Sequence, residues 1–416
     1  MRTNFCQAAH LALLILLILA LPASNGLAAS APAVVEFNIE ALTTEVRKPT
    51  LAYDNQSDFF LVAWGDQNGY IFGRTVTWPK IVSGYLDIGT QTTDDRANPD
   101  LAFNTTDKYF LGVWEQYKAG IDSHTIYGRK YHPDQSLGDE FNLLTATPLA
   151  KGLYHPAVAY SSTSNKFLAV WECHVGDLRS IEGSFIPGSG AMTPNFVLAQ
   201  GDASWSYYTP DVAYLASNDQ FLVVWMQEDR GTGHTFISAR RIAADGTILD
   251  VNSMLIAAQP LDELNPAVAA LPLYPGMGGY AVIWEYDFDP ADHDIYAALV
   301  SWDGVVSPYF GVHTDGNTQY HPAIASDRDS DTYLAVWGSK YPGMANYGIY
   351  GQAISVSGVL LGMRQVIGGL AASRPAVAGL GGGGYLVAYE ELPFFGNLDI
   401  WGRYWGNNLF VPTLRR

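Results

Sequence analysis

The feature that most constrains this chain is a unit repeated seven times. Pro, any residue, an aliphatic residue and Ala recur from Pro49, Pro99, Pro156, Pro210, Pro266, Pro322 and Pro375. Successive prolines stand 50, 57, 54, 56, 56 and 53 residues apart. A second block ends in an aromatic residue: Trp64, Trp114, Trp171, Trp225, Trp284, Trp337 and Tyr389. A third opens with Ile, as in Ile71-Phe72-Gly73-Arg74, Ile126-Tyr127-Gly128-Arg129 and Ile400-Trp401-Gly402-Arg403. Each block is short, rich in Val, Ile, Tyr and Trp, and bounded by turn residues, which reads as a strand. A fourth strand follows, as at residues 140–144 and 195–198.

Four antiparallel strands, A to D, in units of about 50 residues predict an all-β fold, a seven-bladed β-propeller of four-stranded antiparallel blades. The residue choices agree. Pro suits the first position of strand A, where no ladder donor is needed. The invariant Ala suits an innermost strand, where space is short. Strand B is apolar almost throughout, so both its faces are buried. A ring must also close or leave a raw edge. Glu36-Phe37-Asn38-Ile39-Glu40 copies the fourth-strand pattern with no strands A to C before it, and the last repeat ends after strand C. The N-terminal strand is therefore expected to close the seventh blade; residues 409–412 are the shorter rival.

Residues 1–30 read as a signal peptide and residues 31–416 as the propeller. Arg2 is the one charged side chain before Glu36, an apolar run fills residues 11–21, and small residues follow, the pattern of a secretory leader. The expected location is secreted or cell-surface. The run is too short to span a bilayer. Cys6 leaves with the leader, so Cys173 has no internal partner. The net charge of −18 argues against nucleic acid and anionic membrane surfaces. The expected partner is a carbohydrate or protein ligand, with no membrane insertion, and the chain is expected to be a monomer.

The units resemble the repeats of secreted bacterial seven-bladed propellers that carry Pro-x-Val-Ala-Tyr, Leu-Val-x-Trp-Glu and Ile-Tyr-Gly-Arg. The best copies are residues 98–103 with Val113-Trp114-Glu115 and Ile126-Tyr127-Gly128-Arg129, and residues 155–160 with Val170-Trp171-Glu172. The resemblance spans the chain after the leader and implies the fold rather than an activity. WD40 and kelch signatures do not fit, and no Ser-x-Asp-x-Gly-x-x-Trp box of the sialidase kind appears.

Strand A begins and strand B ends on one face, which also carries the B–C loops. Directly before the prolines stand Lys48, Asn98, His155, Thr209, Asn265, His321 and Arg374, all polar. They are the candidate ligand-binding residues. After the strand-B aromatic come Glu115, Glu172, Glu285 and Glu390 in four units. These carboxylates edge the same face, with Glu115–Arg129 and Glu390–Arg403 as the plain cross-strand alternative. The strand-B aromatics suit core packing, which leaves Trp78, Trp205, Trp302, Trp401 and Trp405 for exposed binding. Asp287, Asp289, Asp292 and Asp294 offer oxygens to Ca²⁺, yet lack the turn Gly and the bidentate Glu, so no cofactor is expected. His155, His174 and His321 could converge as a set only if units three and six met, and these are expected to lie nearly opposite. The function expected is a binding or interaction propeller. The alternative is an extracellular carbohydrate-active enzyme, a glycoside hydrolase or lyase, using carboxylates on this face.

Overall fold

The structure is a computed structural model. It describes residues 36–40, 45–77, 81–89, 95–118, 123–143, 151–272, 278–289, 291–327, 329–340, 347–369, 371–392 and 397–406. The leader, Trp78 and the rival closing strand at 409–412 lie outside the described residues. Among those described there are strands and no helix; no helix is long and apolar enough to cross a membrane, which says nothing of a β-barrel.

The third unit shows the pattern plainly. Lys151–Ser161, Lys166–Val175, Leu178–Pro187 and Phe196–Ala199 pair antiparallel in chain order. Trp205–Leu215, Gln220–Asp229, Thr235–Ala243 and Met254–Ala257 repeat it. Units five and six share one mixed eight-stranded sheet, joined where His293 meets Thr318 in parallel. In the last sheet Glu36–Glu40 lies outermost, antiparallel to Asp399–Gly406, followed inward by Gly384–Glu391 and Ala372–Gly381.

The core lies between units. All eight residues of the strand Phe59–Asp66 are buried. The six Trp of this slot, and Tyr389, are fully shielded. An aromatic of this size buries roughly 150–250 Å², or about 4–6 kcal/mol of hydrophobic free energy. One cluster joins Ala102, Val113 and Leu143 to Val158, Phe167 and Trp171 of the next unit. Another joins Val46, Leu51 and Trp64 of the first unit to Leu386, Ala388 and Ile400 of the last, with Phe37 and Ile39 inserted between them.

The Gly of the third block is explained by the fourth strand. A Cβ on Gly402 would stand 2.8 Å from Ile39 Cδ1, and one on Gly351 would stand 2.6 Å from Ile367 Cδ1. Strand D side chains fill the space that the missing Cβ leaves.

The prolines correct one expectation. They stand inside strand A rather than at its start: Pro156 is within Lys151–Ser161 and Pro322 within Thr318–Asp327. The ladder is irregular there, between Tyr154 and Ala157 and between Tyr320 and Ala323. A bulge leaves the Pro nitrogen without a ladder partner, so its missing N–H costs nothing.

Candidate functional site at the inner strands

The same bulge shapes the seven pre-proline residues. Lys48, Asn98, His155, Thr209, Asn265, His321 and Arg374 all take left-handed φ, between 45° and 51°. Asn and His adopt this region more readily than most residues, but for Lys48, Arg374 and above all β-branched Thr209 it is strained. A left-handed residue costs about 1–2 kcal/mol. Something must hold seven of them.

The glutamates after the strand-B aromatics do so in four units. Glu390 accepts the Lys48 N–H at 2.6 Å, Glu115 that of His155 at 3.4 Å, Glu172 that of Thr209 at 3.2 Å and Glu285 that of His321 at 2.5 Å. Each therefore grips the following unit, and Glu390 of the last grips the first. Each also holds the pre-proline side chain of its own unit. Asn98 donates to Glu115 at 2.8 Å and Asn265 to Glu285 at 2.9 Å; His155 Nδ1 lies 3.1 Å from Glu172, and Arg374 3.3 Å from Glu390. The partners are thus not the ones expected by register. Arg129 reaches Glu140 at 3.8 Å and the Gly138 carbonyl instead, and Arg403 donates to the Ile367 carbonyl.

This divides the seven candidates. Asn98, His155, Asn265 and Arg374 have their side chains on a glutamate. Lys48, Thr209 and His321 belong to the units with Gly65, Met226 and Gly338 in the glutamate slot, and their heads do not. Lys48 Nζ donates to the Asn98 amide oxygen. Burial, then the Arg374 charge, pulls the Lys48 ammonium below its ordinary pKa. The His321 imidazole is also lowered, by burial foremost, with Arg374 and Lys48 adding to it against Glu285 and Glu390. Both residues still reach solvent, so that burial is partial.

Around Glu172 sits a denser cluster. His155 and His174, both of the third unit, meet this carboxylate. Tyr154 stacks between His124 and His174, with ring centroids 4.4 Å and 4.2 Å away. Burial alone would raise Glu172; the two histidines outweigh it and hold the carboxyl at about 2.

Two carboxylates that the sequence did not mark stand two residues further along strand A. Asp100 accepts the Val158 N–H at 2.7 Å and the Thr50 hydroxyl at 3.0 Å. Asp211 accepts the Val268 N–H at 2.8 Å. Burial raises them to about 6 and about 7, with the Asp100 charge adding to the rise at Asp211. Their only sequence signal is an Asp where four units carry Ala and one carries Thr.

Other expectations separate. Asp287 meets His293 at 3.2 Å, Asp289 accepts the Ala291 N–H and Asp294 the Asp315 N–H; these three loop carboxylates have different partners. Among the described residues no cluster suits a metal ion. Trp401 and Trp405 pack on the core between the last two units, and Trp205 lies against Phe236. Trp302 is exposed, but on the C–D turn at the far end of the strands. Cys173 is buried.

No protein-family model matches the chain, and no curated protein matches it. Solved structures do. A protein of unknown function from Dyadobacter fermentans is 11% identical with a TM-score of 0.55, over 90% of this chain and 99% of that one. The Hadza microbial sialidase Hz136 is 9% identical with a TM-score of 0.52, over 83% of this chain and 73% of that one. The GH93 α-L-arabinofuranosidase of Fusarium graminearum, solved with arabinobiose, is 12% identical with a TM-score of 0.50, over 78% of this chain and 98% of that one. At such identities the likeness carries the fold: all-β, built of four-stranded antiparallel sheets like the propeller-type glycosidases.

Proposed function

We propose that the units form one closed seven-bladed propeller, completed by Glu36–Glu40, that recognises a carbohydrate at the mouth of its central channel. The observation that carries this reading is the set of seven pre-proline residues. They occupy one register position, share one strained conformation, and leave the heads of Lys48, Thr209 and His321 off the glutamates that hold the frame. Backbone strain concentrates where a fold must present side chains in a set direction. Specific sites combine concave walls with a few convergent polar groups, and the inner strands supply both. The leader supports a secreted or cell-surface location.

Glycoside cleavage is the second reading, and the comparisons favour it over binding alone: the sialidase and the arabinofuranosidase among the similar structures are named for acting on glycosides. The four rim glutamates are poor candidates for that chemistry, since Glu172 already receives two histidines and a backbone N–H. Asp100 and Asp211 suit it better, because a general acid needs a carboxyl that keeps its proton near neutral pH. The test is a screen on polysaccharides and aryl glycosides with the mature chain. Turnover abolished by Asp100→Asn or Asp211→Asn establishes cleavage. Binding without turnover establishes recognition alone. Neither turnover nor binding sinks both.

A further inference from the structure

Resting on that reading, we propose that the sector of the rim built by His321, Arg374 and Lys48 binds the anionic group of an acidic sugar, a carboxylate or a sulfate ester. These residues belong to the sixth, seventh and first units. Their strands, Thr318–Asp327, Ala372–Gly381 and Val46–Asp54, are neighbours in that order. Each residue stands at the same position, directly before the Pro in the bulge, with φ of 50°, 45° and 51°. One carboxylate ties two of them together: Glu390 accepts the Lys48 N–H at 2.6 Å and lies 3.3 Å from Arg374 Nη1.

At this sector the carboxylates are shielded and the basic residues are the ones that reach solvent. Glu390 is almost fully shielded and already takes Arg374, the Ser373 hydroxyl and the Lys48 N–H. Glu285 accepts the His321 N–H and the Asn265 amide. The Lys48 ammonium rests on the neutral Asn98 oxygen, and the His321 ring has no hydrogen-bond partner among the described residues. Arg374 keeps 38% of its side chain exposed, enough of its fork to take a second, bidentate partner. An incoming anion would meet the Lys48 and Arg374 heads, which weaken each other's hold on their protons, and would relieve that repulsion. On a chain of net charge −18 the surrounding surface repels polyanions, which favours a small anion at these heads.

The test is calorimetric titration of the full mature chain with matched oligosaccharides: a neutral one, the same one bearing a uronic carboxylate, and the same one bearing a sulfate ester. The anionic forms are expected to bind at least about tenfold tighter, as befits one charge-assisted hydrogen bond. Lys48→Asn and Arg374→Asn are expected to remove that advantage, so that on each variant the anionic forms bind no tighter than the neutral one. Asn tolerates left-handed φ, so the frame survives. Lys48 holds no glutamate with its side chain, so Lys48→Asn decides the matter even if Arg374→Asn melts early. The carboxylate and sulfate arms identify the anion. Equal affinity for neutral and anionic forms, or anionic affinity unmoved by Lys48→Asn, overturns this assignment while the carbohydrate reading stands. Binding of no sugar at all overturns both.

Discussion

Glu172 and Asp211 show how single carboxylates divide the labour at the inner strands. Glu172 is held at about 2, far below an ordinary Glu, by His155 and His174 acting against its burial. Its contribution to stability is therefore complete above about pH 4.5 and is lost as the pH falls towards 2. Glu172→Gln should cost about 3 kcal/mol at neutral pH, and the gap to the unaltered chain should close near pH 2; denaturant titrations at pH 7 and 2.5 check this, and a pH-independent difference would refute it. Asp211 works in the other direction. Its carboxyl is raised to about 7, so what its protonated form contributes is present below about pH 4 and disappears as the pH rises through 7. Asp211→Asn keeps an acceptor for the Val268 N–H without the charge. It should stabilise the fold by about 2 kcal/mol at pH 8 and by little at pH 4. Equal melting shifts at both pH values would contradict the assignment.

Among the elements, strand B was the most legible. An unbroken apolar run ending in Trp can only be a strand buried on both faces, and the structure shields all of Phe59–Asp66. Strand D was the least legible, because it is short and half-buried: the reading of residues 140–144 gave way to Phe141–Asn142, and that of residues 195–198 to Phe196–Ala199. The pre-proline conformation was invisible for another reason. Lys48, Thr209 and Arg374 are not left-handed formers, so the sequence carries no common propensity for the φ that the bulge imposes. The glutamate clasps needed knowledge of which unit follows which in space, not only in sequence. The edge strand Glu36–Glu40 yields the prediction of this scale. Phe37 and Ile39 lie over Gly402. Gly402→Val would push both off, and Ile39→Ala would empty their cluster. Each should lower stability by about 2–5 kcal/mol, read from urea midpoints. Deleting residues 31–44 should abolish the cooperative transition altogether; unchanged melting would refute the role of this strand in closing the sheet.

For the whole molecule, evenness is the governing property. Apolar clusters shared by consecutive units leave no unit with a core of its own, so stability is a property of the set. The A–B hairpin tips are alike and self-satisfied: Asp54, Asn104 and Asp327 each accept the N–H groups of their own turns. The opposite end is where the units differ, through the rim side chains and the B–C loops, and individuality is what specificity requires. The most direct measurement uses a glycan found by screening and compares Ala substitutions at Lys48, His155, His321 and Arg374 with Ala substitutions at Asn104, Lys166, Asn218 and Asp329. The first set should weaken binding at least tenfold and the second should leave it unchanged. Weakening by the second set alone would place the functional site at the other end of the strands and contradict the account.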